Sequence, residues 1–276
     1  MAISEKIELL GKYEEIPRIL TLTSMPTATE LDYVGAEDFD DVMLDKILPK
    51  SVEEGANINF RNLLEVDYLW ICRALRILNY GPYHTTNSIF CDKCGTVSRG
   101  EYNVDLRTIP CNPIPDDFTG SIVISRDKFL DFGKSITIKL PTIQEKMNAF
   151  KDKMFKDVNG MTNRDLARLC YMMKSLDADQ TITPVQAKII IQDQMSPADY
   201  IIFKEEVHSS TNFGLRAGGS CVCPKCKHTD ASFIAIQDDR FFRPTLGDLR
   251  KWRDDRNSRE ANTVQRSEEA AVRKNN

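Results

Sequence analysis

The apolar and polar positions of this chain fall into three regimes. The sharpest is helical. Between residues 63 and 80, Leu64, Tyr68, Ile71, Cys72 and Leu75 recur at helical spacing. Val66, Leu69, Trp70, Ile77 and Leu78 are apolar as well, so little of this helix can face water. Such a helix lies deep in a core or in a subunit interface. Asn79, Tyr80 and Gly81, followed by Pro82, end it.

A second helical regime is marked by its starts. Thr142 with Glu145, Thr162 with Asp165, and Ser196 with Asp199 have the capping form, and Thr183 precedes Pro184. These signals predict four helices, near 143–156, 163–175, 184–194 and 197–207. The third regime alternates. Thr86 to Phe90, Thr96 to Val104 with a continuation to Ile109, Ser121 to Ser125, Ile136 to Leu140 and Ala231 to Ile236 read as strands. Cys111 to Gly120 reads as a loop.

The first 56 residues show no sustained period. Ile7 to Leu10 predicts a short helix ended near Gly11, and Ile19 to Thr23 an added strand. Pro17, Pro26 and Pro49 interrupt anything longer. The acid run Glu37, Asp38, Asp40, Asp41 is a solvated face or, with Val42, Leu44, Ile47 and Leu48, a short docking helix. At the other end, Arg250 to Arg259 suits an exposed helix, and Ser267 to Asn276 reads as frayed.

Two cysteine knuckles tie these regimes together. One is Cys91-Asp92-Lys93-Cys94-Gly95, the other Cys223-Pro224-Lys225-Cys226-Lys227, with Cys221 just upstream. Each Cys-x2-Cys turn offers two thiolates to one side of a bend, and two turns complete a tetrahedral structural Zn2+ site. Strand-like flanks favour knuckles on hairpins over a redox pair placed before a helix. Gly95 suits the left-handed exit of the turn, and Lys227 suits it less well. Cys221 is an alternative ligand to Cys223, and His228 a weaker one. Cys72, Cys111 and Cys170 read as core or surface thiols.

The expected fold class is α+β, a split zinc-ribbon-like β core with an inserted helical subdomain and an extended N-terminal arm. The expected divisions are an arm (1–56), a helix plus the first half of the zinc-stapled core (57–141), and the helical insertion (142–210). The second half of the core (211–245) and a polar basic tail (246–276) follow.

Charge sharpens this picture. The 276 residues carry a net charge of −4 with 41% hydrophobic content, enough for a sizeable core and too acidic for a general nucleic-acid binder. Residues 1–56 hold 13 acidic and 5 basic groups; residues 239–276 hold 10 basic and 7 acidic ones. Ends of opposite sign can favour end-to-end contacts between copies or with other subunits, against the default reading of a solvated surface. No signal-peptide apolar region appears in Met1 to Leu10, and no run approaches transmembrane length, so a reducing cytosol and no membrane are expected. Familiar catalytic patterns fail. Gly133-Lys134-Ser135 lacks the earlier P-loop glycine, since that position is Lys128. His84 and His208 lack the His-x-Glu of a zinc deaminase. Four thiolates would leave a metal no open position, so no enzyme is expected.

One stretch carries a family resemblance. Asn62 to Cys94 runs through Asp67, an aromatic-rich apolar helix with Tyr68 and Trp70, then Leu75-Arg76, Gly81, and Cys91-x2-Cys94. This resembles the baseplate hub family of contractile-tailed, T-even-type bacteriophages. Ile138 to Pro141, Ser196 to Phe203 and Phe241-Phe242 are similar to later parts of that family, so the likeness spans roughly 42–243. The resemblance implies a structural or assembly role in a tail baseplate: a virion component assembled in the host cytoplasm. Its implied partners are other baseplate and tail proteins and further copies of itself. Asp67, Trp70 and Arg76 are then expected at an interface, with Asp67 and Arg76 binding backbone or a neighbouring subunit.

Overall fold

The structure is a computed structural model, and it describes residues 4–25, 39–91, 93–157, 160–177, 180–215, 218–229, 231–234 and 247–254. It is α+β. The chain opens on an antiparallel hairpin of β1 (Ser4–Glu8) and β2 (Ile19–Thr23), with Ile7 opposite Leu20. Ile7 and Leu9 face inward two residues apart, as do Leu20 and Leu22, and all four are buried. The short helix expected at Ile7 to Leu10 is therefore absent: Ile7 and Glu8 end β1, and the Leu9 N–H beyond it donates to the Arg18 carbonyl. The N-terminal segment is also not an arm laid beside the body, because its apolar positions belong to the main core.

Residues 39–51 form a helical stretch (α1) through Phe39–Val42, a π turn at Met43–Ile47, and Leu48–Ser51. Met43, Leu44, Ile47 and Leu48 are buried, so this acidic segment docks. Arg61 grips Asp41 at 2.7 Å and Asp45 at 2.6 Å, and Lys151 reaches Asp41 at 2.7 Å. The long helix α2 (Glu65–Tyr80) follows, close to the expected 63–80. Its Tyr68, Ile71, Cys72, Ala74 and Leu75 pack against the hairpin and α1.

Strands β3 (Tyr83–Cys91) and β4 (Thr96–Asp105) make a second hairpin. Short β5 (Cys111–Asn112) leads to β6 (Ser121–Ile124) and β7 (Ile136–Lys139). Helix α3 (Ile143–Lys151) starts on the expected capping box of Thr142 and Glu145. Helix α4 (Arg164–Met172) is capped by Asn163 rather than Thr162. It stops short of residue 175 because Met173–Leu176 (β8) leaves to pair with β7. After β9 (Gln180–Thr181), α5 (Pro184–Ile189) uses Thr183 with Gln186 as its box, and α6 (Pro197–Ser210) is capped by Ser196. The chain then runs through β10 (Gly214–Leu215), β11 (Gly218–Cys221) and β12 (Ala231–Ile234) to a helix at 247–254 (α7).

Two apolar cores result. The first unites the N-terminal hairpin, α1, α2, Val104, Leu106 and the start of α3. The second lies between the antiparallel sheet β6-β7-β8-β9 and helices α4 to α6. Ile122, Ile124, Ile136 and Ile138, expected in the zinc-stapled core, thus pack in the second cluster. Helix α3 joins the two: Ile143 and Met147 enter the first core, Ala149 the second. Backbone bonds from Ile143 to Leu63 (2.8 Å) and from Glu65 to Pro141 (3.0 Å) pin its start to that of α2.

Helix α7 docks on the end of α2. At Gly81, with φ +79°, a Cβ would stand 2.4 Å from Cγ of Trp252, so both backbone and space demand glycine. Thr85 donates to the buried Asp248 at 2.6 Å. The expected exposed helix at Arg250 to Arg259 is in this part a docked one; residues 255–276 and Phe241-Phe242 lie outside the described residues. Among the described residues no helix is long and apolar enough to cross a membrane.

Candidate metal centre

The metal end follows from strand order. A four-stranded antiparallel sheet runs β11-β12-β3-β4. Strand β3 climbs to the first knuckle and β12 descends from the second, and the two pair antiparallel at Phe90 and Ser232. Both hairpin tips therefore lie at the same end of the sheet. This brings Cys91, Cys94, Cys223 and Cys226 together, with all four Sγ atoms within 4.8 Å of one another. Cys91 and Cys226 approach to 3.6 Å, Cys94 and Cys223 to 3.9 Å. Sulfurs bound at about 2.3 Å to a tetrahedral ion stand about 3.8 Å apart, so the four positions fit one such ion.

The surroundings favour thiolates on part of the set. Hydrogen bonds from Thr96, side chain first and then backbone, pull the Cys94 thiol down to about 6. The backbone N–H of Cys226, and then that of Lys225, lower the Cys223 thiol. Burial instead pushes Cys91 up to about 12. Four like charges this close cannot all ionise without a cation between them. A bound cation would deprotonate the whole set. Cys91 and Cys223 are fully buried, while Cys226 is exposed at the tip.

Cys221 is outside this cluster. It sits in β11 opposite Ala231 and packs toward both the metal end and the first core. The structure thus brings in Cys223 rather than Cys221. His228 contributes its carbonyl, which accepts from the Cys223 N–H at 2.7 Å. Thr96 accepts a hydrogen bond from Lys225 at 3.1 Å, a bridge between the knuckles that nothing in the spacing signals. Cys72 and Cys170 are buried in the two cores.

The turn exits match the expected strain. Gly95 has φ +62° and Lys227 φ +63°, both left-handed. A residue with a Cβ loses about 1–2 kcal/mol in that conformation. Lys227→Gly should therefore raise unfolding stability by up to about 1 kcal/mol, since glycine's extra freedom in the unfolded chain offsets part of the gain. Gly95→Ala, with no atom near its missing Cβ, should lower stability by up to about 1 kcal/mol, the same difference with its sign reversed. Urea unfolding of the two variants checks the pair.

The residues expected at an interface turn inward. Asp67 is fully buried and accepts hydrogen bonds from the Leu10 N–H (2.6 Å), the Gly11 N–H (2.9 Å) and the Tyr13 hydroxyl (2.5 Å). Burial raises its pKa, while the Tyr13, Leu10 and Gly11 donors oppose the rise. Arg76 is fully buried and donates to the carbonyls of Gly81 and Tyr83, each at 2.8 Å. Burial pulls its pKa down to about 10, and nearby Asp248 opposes this. Both side chains therefore bind backbone of their own chain, the intramolecular form of the expectation. Trp70 is half-buried; its indole N–H donates to the Glu8 carbonyl at 3.1 Å, and Arg73 stacks on its ring at 4.8 Å. The face of α2 left over by the core is thus partly covered by the N-terminal hairpin.

This geometry separates two substitutions. Leu75 is fully buried in the first core, so Leu75→Ala should cost about 2–5 kcal/mol. Trp70→Ala should cost less, because part of that ring already meets water. Thermal melts of both proteins check the order; equal losses would make the Trp70 face as much core as Leu75. Compared with known proteins, the chain matches no family model, and no curated protein or solved structure matches it at a significant level.

Proposed function

We propose that this chain is a structural, non-enzymatic subunit of the tail baseplate hub of a contractile-tailed bacteriophage. In this reading one Zn2+, held by Cys91, Cys94, Cys223 and Cys226, staples a split zinc-ribbon-like sheet. The observation that carries the reading is the four-sulfur cluster. Half of it, Cys91 and Cys94, belongs to the stretch that resembles the hub family, and the other half lies more than a hundred residues on. A four-thiolate ion is coordinatively full, so it serves structure and leaves no position for water. In the same stretch Asp67 anchors the loop of the N-terminal hairpin to α2, Arg76 ties the start of β3 to it, and Gly81 leaves room for Trp252 of α7, which suits a rigid building block.

Its partners are other baseplate and tail proteins and copies of itself, and its location is the virion. Mass spectrometry of purified virions tests this. Recovery of its peptides at a fixed ratio to other tail proteins is the expected result. Presence in infected-cell extracts with absence from virions would replace the structural role with that of a transient assembly factor.

A further inference from the structure

Of the four clustered thiols, only Cys226 is exposed; Cys91 and Cys223 are buried and Cys94 is half-buried. An oxidant arriving from solvent therefore meets Cys226 first, since susceptibility follows thiolate character and exposure. A second sulfur is already at hand. That of Cys91 stands 3.6 Å from that of Cys226, across the two knuckles and 135 positions away in the chain. A disulfide holds its sulfurs about 2.05 Å apart, so closing this gap takes about 1.5 Å of movement shared between two side chains. Cys94 and Cys223 make the other contact between the knuckles, at 3.9 Å. Cys221 lies outside the cluster.

We propose that Cys226 and Cys91 form a peroxide-sensitive modification site, whose oxidation joins the two knuckles by a disulfide and expels the metal. This site rests on the metal reading of the four thiols and is independent of the baseplate. The Cys226 thiolate attacks hydrogen peroxide: an S–O bond forms, the O–O bond breaks, and hydroxide leaves. The Cys91 thiolate then attacks the sulfenic sulfur: the S–S bond forms, the S–O bond breaks, and a second hydroxide leaves. Two thiolates have given up two electrons, one peroxide has taken them, and solvent protonates both hydroxides. Two of the four ligands are consumed, so the tetrahedral site no longer exists. A chelator removes the metal and leaves nothing in its place. Oxidation leaves a covalent link from the end of β3 to the turn before β12, and the seam at Phe90 and Ser232 stays closed.

The experiment uses the full chain, with zinc content measured before hydrogen peroxide is added. Peroxide should release the zinc to a chromogenic chelator, beyond an untreated control, with two thiols lost for each ion released. Mass mapping of the unreduced protein should find the Cys91–Cys226 link as the main product. A thiol reductant with added zinc should reverse it. Hydrogen exchange at residues 88–91 and 231–234 should stay slow in the oxidised chain and rise in the chelated one. Cys221→Ser, which leaves all four ligands in place, should change neither the rate nor the product. Links within one knuckle, or between Cys221 and Cys223, overturn the proposal. So does zinc release with sulfinic acid and no link, or a centre that keeps its zinc and its thiols under peroxide. Low zinc at the outset strikes the metal reading instead, and mapping the peroxide-treated chain then still decides the pairing.

Discussion

Purified protein should carry one zinc per chain, and chelation should open the sheet β11-β12-β3-β4 while both apolar cores persist. The reason lies in how little else holds that sheet. Its own buried cluster is Ile89, Cys91 and Cys223, with Cys94, Tyr102 and Cys221 partly buried around them. The two hairpins meet through a single described register pair, Ser232 with Phe90. Structural zinc contributes on the order of 10–16 kcal/mol of apparent binding energy in small domains, far more than such a seam supplies. Hydrogen exchange after chelation should rise in residues 88–99 and 218–234 and stay low in α2 and at the far end of the hairpin, which Arg76, Asp248 and the first core hold. Cys91→Ser and Cys223→Ser should lose the ion, and Cys221→Ser should keep it. Elemental analysis showing much less than one equivalent of zinc, or a sheet indifferent to chelation, would remove the metal from the account.

Much of this centre is legible in the sequence, because a knuckle is a local object. Two Cys-x2-Cys turns between alternating segments mark the candidate ligands, with Cys221 still open as an alternative, and the left-handed exit at Lys227 follows from the turn itself. Choosing Cys223 over Cys221 requires the register of β11 against β12, which spacing alone does not supply. Helix α2 is legible for a similar reason, since its apolar period needs no partner to be seen.

What the sequence conceals is assignment to a partner. Ile7 and Leu9 form too short an alternation to declare a strand, and only pairing with β2 and burial against α2 make it one. Strands β6 and β7 alternate well, yet alternation does not say which sheet a strand joins; here it is the one under α4 to α6. Helix α4 ends where β8 finds β7, a tertiary event that overrides the apolar run through Met173. Asp67 is the sharpest case. Its three donors come from residues more than fifty positions earlier, so its role as an internal anchor has no local sign.

Asp67→Ala should therefore be the most damaging single change outside the thiols and the apolar cores, lowering stability by about 3–5 kcal/mol. Each buried donor left without an acceptor costs about 1–3 kcal/mol, and three are stranded at once, with some recovery through water. The loss propagates. The Tyr13 hydroxyl, which donates to Asp67, also accepts from the Leu64 N–H at 2.9 Å at the start of α2. Asp67 itself sits in the first turn of α2, where a negative charge is favourable. Asn is no substitute, because its amide would point one donor at another. Gly11 packs so closely on this group that a Cβ there would stand 2.8 Å from the carboxylate. Denaturant unfolding, with limited proteolysis of residues 4–25, measures the effect. An Asp67→Ala protein as stable and protease-resistant as the parent, yet unable to enter tails, would return this side chain to a subunit interface.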